Sequence, residues 1–122
     1  MNVLLGIGGS DHGWAALTQT LARTQEAGDD LTIAIYEDEG VDDSADTIEQ
    51  RVREELKDSE VEATVRHLSG HAGGALVELA DGEGFDRLVV AGGNRSTLGK
   101  IQLGSVAEFL VLNAETPVTL IR

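Results

Sequence analysis

Arg87-Leu88-Val89-Val90-Ala91-Gly92-Gly93-Asn94-Arg95-Ser96, followed a few residues on by Leu103-Gly104-Ser105-Val106-Ala107-Glu108-Phe109-Leu110, decides the fold of this chain. The first piece is an apolar run that stops at small residues, which reads as a buried strand ending in a turn. The second opens a helix at Gly104-Ser105, where the first-turn N–H groups have no partner within the helix. Strand, small-residue turn and helix start in this order bring free N–H donors and the positive end of a helix dipole to a place where an anion can sit.

Working outward, strand and helix patterns alternate along the whole chain. Residues 3–7 read as a buried strand, and Ser10 or Asp11 can cap a helix with Trp14, Leu17, Thr18 and Leu21 on its apolar stripe, ended by Gly28. A strand at 31–36, an acidic loop at 37–43 and a helix with Ile48, Val52 and Leu56 on one face come next. Residues 61–68 alternate apolar and polar, as a half-exposed edge strand does. A helix over 72–80, a strand over 86–91, a helix over 104–113 and a last strand over 117–121, with Pro117 at its first position, complete the series. The pattern predicts a single α/β domain over residues 1–122: a doubly wound, five-stranded parallel sheet with right-handed crossovers and helices on both faces.

Length and charge narrow the function. The 122 residues suit one core, and 22 acidic against 9 basic side chains give a formal net charge of -13. Such a surface repels nucleic acid and anionic membranes, so neither is expected as a partner. Lysine is confined to Lys57 and Lys100. With the abundant Ala and Gly, this predicts a protein adapted to molar salt, where the Debye length is about 3 Å and self-repulsion is screened. No cysteine is present, which excludes disulfides and thiolate metal sites. Without a basic leader or a long apolar run, the expected compartment is the cytoplasm.

In a doubly wound sheet, ligands bind beyond the carboxyl ends of the strands where the strand order reverses. If the first and fourth strands are neighbours, Gly8-Gly9-Ser10 and the loop beginning at Ala91 face each other there. Each also has a bland reading: a tight turn with a capping serine, and a plain helix start.

These motifs carry a resemblance. Gly9-Ser10-Asp11 near the start, Gly104-Ser105-Val106-Ala107-Glu108 at the last helix and Thr116-Pro117-Val118 after it resemble the universal stress protein family, over essentially the whole chain. The resemblance implies an adenine nucleotide alpha hydrolase-like sheet of order 3-2-1-4-5 and a homodimer built around the last strand. Nucleotide-binding members carry Gly, two residues, Gly, nine residues, then Gly with Ser or Thr. In that register this chain has Ala91, Asn94 and Gly104-Ser105. Binders also carry an Asp at the end of the first strand, where this chain has Gly8. A lost acceptor of that kind costs about 1–3 kcal/mol.

The candidate nucleotide or anion site therefore comprises Gly8, Gly9, Ser10, Ala91, Gly92, Asn94, Arg95, Ser96, Gly104, Ser105 and Val106. Arg95, Ser96 and Ser105 supply retained phosphate donors, whereas Glu37, Asp38 and Glu39 oppose a triphosphate. No resident cofactor is expected, and ATP or AMP with Mg²⁺ is expected to bind weakly if it binds. No Ser is placed beside a His or Lys that would activate it, so no catalytic residue is assigned. His67 and His71 straddle a strand end and a loop, so they read as surface residues and no metal site is assigned; His12 reads as exposed near the pocket mouth. On the last helix, Leu103, Val106, Ala107, Leu110 and Ala114 form the expected core stripe, leaving Phe109 and Leu112 outward. With Val118 and Leu120 of the last strand, they form the expected dimer face. The resulting expectation is a non-enzymatic stress-response or regulatory module with a degenerate pocket; the alternative is an ATP- or AMP-binding protein with at most slow hydrolysis.

Overall fold

The computed structural model describes residues 1–92, 94–95 and 101–122, with only the backbone described at 94, 95, 101 and 102. Its elements are β1 (Asn2–Ile7), α1 (Asp11–Ala27), β2 (Asp30–Ile35), α2 (Ala45–Ser59), β3 (Ala63–His67), α3 (Ala72–Gly82), β4 (Arg87–Ala91), β5 (Asn94–Arg95), β6 (Ile101–Gln102), α4 (Ser105–Asn113) and β7 (Val118–Ile121). The main sheet runs β3-β2-β1-β4-β7, the expected 3-2-1-4-5 order, and every pairing in it is parallel.

Period-two alternation in the strands builds the two cores. Val3, Leu5 and Ile7 of β1 face one side with Leu31, Ile33 and Ile35 of β2, where α1 and α2 cover them through Trp14, Leu17 and Val52. Leu4, Ala34, Leu88 and Val90 face the other side, against Leu76 of α3 and Leu110 of α4. Gly6 lets α3 come this close, since a Cβ there would stand 2.9 Å from Leu76 Cδ1. Burial on both faces is what gives these strands nearly continuous apolar runs.

Several boundaries differ from the sequence reading. β3 begins at Ala63 because Glu60 adopts a left-handed backbone (φ 56°) that closes α2, and the Val61 N–H is spent on the Leu56 carbonyl at 3.1 Å. Thr18 of α1 is exposed, and Thr20 and Thr24 are buried in its place. Ahead of α4 the chain forms a small antiparallel pair, β5 with β6, where only a polar loop was expected. On α4 itself only Ala107 and Leu110 are fully buried, while Leu103 is 37% exposed. Phe109, expected to face outward, is half-buried against the start of α3: a Cβ on Gly73 would meet its ring at 2.6 Å, and His71 meets it edge-on at 4.7 Å between centroids. The outward apolar residues of α4 are instead Val111 and Leu112, 50% and 73% exposed. Val118 and Leu120 are half-buried on β7.

Candidate functional site

β1 and β4 are adjacent, so their carboxyl ends mark the point where the strand order reverses. A cavity of about 560 Å³ opens there, within the usual range for a small-molecule site of about 300–1,000 Å³. Ser10, Ala91, Gly104, Ser105 and Val106 line it, joined by His12 and His71. Five of the candidate residues thus line one cleft, with the starts of α1, α3 and α4 around it.

The three helix starts differ in one respect that matters for ligands. Ser10 caps α1 by accepting the Gly13 N–H at 3.2 Å, and His71 caps α3 by accepting the Gly74 N–H through Nδ1 at 2.9 Å. Gly104 begins α4 with no side-chain cap. Its backbone (φ -64°, ψ 161°) is open to any residue, and a Cβ on it would meet nothing within 4 Å. Neither backbone conformation nor packing calls for glycine here. Among the described residues no side chain caps the start of α4, whose positively polarised N–H groups stand at the cavity, an arrangement that can bind an anionic oxygen.

The other glycines of the candidate set have internal reasons. Gly9 has φ 92°, and its carbonyl accepts the Trp14 indole N–H at 3.0 Å; Trp14 is itself covered by the Arg51 guanidinium 4.0 Å from the ring centroid. Gly92 is buried, donates to the Ile121 carbonyl at 2.8 Å and would bring a Cβ to 2.9 Å from Leu120 Cβ. Gly8 lies under a tyrosine: a Cβ there would stand 2.6 Å from Tyr36 Cε2 and 2.9 Å from Asp38 Cβ. Gly8 does not border the 560 Å³ cavity; it lines a second one of about 430 Å³. Asn94 and Arg95 enter β5 by their backbone, and Ser96 lies outside the described residues.

Tyr36 is the feature that the sequence reading missed. It follows β2 directly, its N–H donating to the Ile7 carbonyl at 3.0 Å, and its phenol is pushed up to about 12 by burial and then by the nearby Asp38 carboxylate. Glu37, Asp38 and Glu39 continue the same wall. Its place at the carboxyl end of the strand paired with β1 was the available signal. Among the described residues, no group of three or more His, Cys, Asp or Glu is arranged to hold a metal ion. His67 bonds Glu49 on the surface, away from His71.

The universal stress protein family profile matches residues 1–122, the whole chain. The chain belongs to this family. Among solved structures, it is similar to a universal stress protein in complex with cAMP, at 25% identity, covering 100% of this chain and 96% of that one with a TM-score of 0.78. A universal stress family protein from Arabidopsis thaliana with AMP bound shares 18% identity over 99% of this chain and 90% of that one, with a TM-score of 0.70. One from Archaeoglobus fulgidus in complex with dAMP shares 19% over 100% and 98%, with a TM-score of 0.72. No curated protein matches the chain. Among the described residues, no helix is long and apolar enough to cross a membrane.

Proposed function

We propose that this universal stress protein family member is a non-enzymatic binding module that takes a nucleoside monophosphate in the 560 Å³ cavity, with the phosphate against the start of α4. The uncapped Gly104, with open space where a side chain would be, carries the reading. Relatives described as holding cAMP, AMP and dAMP support the ligand class, each bearing one phosphate. A triphosphate would bring several more charges beside Glu37, Asp38 and Glu39, which disfavours ATP and leaves Mg²⁺ without a part. The absence of catalysis is supported by the use of Ser10 and His71, two polar side chains at the cavity, as helix caps. Equilibrium binding of AMP tests the site. Gly104→Val fills the open space without backbone strain, so it should keep the fold and weaken AMP at least tenfold, about 1.4 kcal/mol. Absence of AMP binding by the native chain, or undiminished binding by the variant, would overturn the reading.

The module is further assigned as a salt-adapted cytoplasmic homodimer. The half-buried Val118 and Leu120 on the β7 edge, together with the exposed Leu112 of α4, favour self-association. A net charge of -13 favours folding and pairing at high ionic strength. Light scattering and thermal melts from low to molar NaCl read both: the dimer and the Tm should gain with salt, and a monomer with a flat Tm removes this assignment.

A further inference from the structure

Charge orients any nucleotide in the cleft. The anionic end is drawn to the bare α4 start and repelled by Glu37, Asp38 and Glu39, so the uncharged base lies on the Tyr36 side. Tyr36 borders both cavities, the 560 Å³ one with Ser10 and Gly104 and the 430 Å³ one with Gly8, Val41, Ser44 and Ile48. Its ring rests on Gly8, which is small enough to admit it, while its backbone is held by the Ile7 carbonyl at 3.0 Å. The ring therefore stands on the wall that the two spaces share, with Glu37, Asp38 and Glu39 beside it.

Building on the nucleotide reading, we propose that Tyr36 is the specificity-determining residue of this pocket: it closes off the second cavity and restricts the ligand to nucleotides whose base carries no bulky substituent. The phenol face offers the base a flat apolar surface, and the carboxylates behind it suit an amino group on the base rim. Gly8 is the other half of the device, since any side chain there would evict the ring.

Titration with AMP and with N6-benzyl-AMP, followed through Trp14, the chain's one tryptophan, tests the proposal. The native chain should prefer AMP at least tenfold. Tyr36→Ala should join the cavities and shift that ratio at least tenfold toward N6-benzyl-AMP, whereas Tyr36→Phe should keep the native preference. Circular dichroism melts confirm folding of each variant, with Tyr36→Val as the alternative opening. Native binding of AMP with a ratio near one, or a ratio unchanged in Tyr36→Ala, overturns the role of Tyr36 and leaves the nucleotide reading standing. If the native chain binds neither probe and Tyr36→Ala binds one, the role of Tyr36 stands and native nucleotide binding falls. Failure of all the variants to bind either probe overturns both.

Discussion

Gly8 and Gly104 line two neighbouring cavities that share Tyr36, and they are glycine for opposite reasons. At Gly8 the molecule itself needs the missing side chain, because a Cβ would run into Tyr36 at 2.6 Å. At Gly104 nothing within 4 Å would object to a Cβ. Glycine is an accepted N-cap that falls only about a few tenths of a kcal/mol short of Ser or Asp, and it leaves the α4 start accessible to something that approaches from outside. At Gly8 the protein fills the space itself, and at Gly104 the described residues leave it open. Substitution with an aspartate at Gly8, which the motif of nucleotide-binding relatives suggests, would therefore not restore an acceptor; it would first displace Tyr36.

The largest effect that can break this contrast is on stability. Gly8→Ala should cost about 1–3 kcal/mol through overpacking. Gly104→Val exchanges an accepted N-cap for a poor one without a clash and should cost no more than about 1 kcal/mol. Urea unfolding measures both, and equal costs would dissolve the distinction. The phenol supplies an independent reading, because Tyr36 is the chain's one tyrosine and its pKa is held up at about 12. On rapid mixing to pH 11, a phenol of that pKa is about one-tenth ionised, and one returned to 10 is about nine-tenths ionised. Phenolate absorbance should therefore rise sharply in Gly8→Ala. The folded pKa lies above the unfolded one, so the stability from this group is complete below pH 10 and is lost as pH rises toward 12.

The contrast also explains what the sequence could and could not convey. Alternation in Val3, Leu4, Leu5 and Ile7, and helical spacing in Ile48, Val52 and Leu56, are local patterns, and the sheet and its two covered faces follow from them. The Gly104-Ser105 start was equally legible, being one helix terminus after one strand. The Tyr36 ring over Gly8 was not, because that contact joins residues 28 apart across two paired strands. A missing aspartate looked like simple loss until the ring that replaces it was in view. The β5-β6 pair escaped notice because two-residue strands are too short to show any period.

On the acid side, a second group separates stability from ligand chemistry. Asp81 accepts from the Glu115 and Thr116 N–H groups and from the Thr116 hydroxyl, and the hydroxyl bond, ahead of the two backbone bonds, holds its carboxyl below the usual range. A depressed folded pKa means that its contribution is present above the unfolded value and is lost as pH falls through the folded one. Asp81→Asn should flatten the acid limb of the stability profile without altering AMP affinity at neutral pH. A coupled loss of affinity would tie the β7 approach to the cleft and blur the contrast between Gly8 and Gly104.

The smallest effect concerns a position where glycine would serve and is missing. Glu60 closes α2 at φ 56°, the one left-handed backbone outside glycine among the described residues, and its N–H still bonds the Leu56 and Lys57 carbonyls. A Cβ in that conformation costs about 1 kcal/mol relative to glycine. Glu60→Gly should therefore stabilise the chain by up to about 1 kcal/mol, the reverse of the effect at Gly8. The change also removes one negative charge from a chain at -13, which by itself relieves repulsion. Measuring the gain in molar NaCl screens the charge part and leaves the backbone part. A gain that vanishes in salt would mean that charge, and not the left-handed turn, sets the cost at this position. A gain that persists would assign the cost to the left-handed backbone of Glu60 itself, a strain tolerated there and avoided by the glycines Gly28 (φ 70°) and Gly70 (φ 80°).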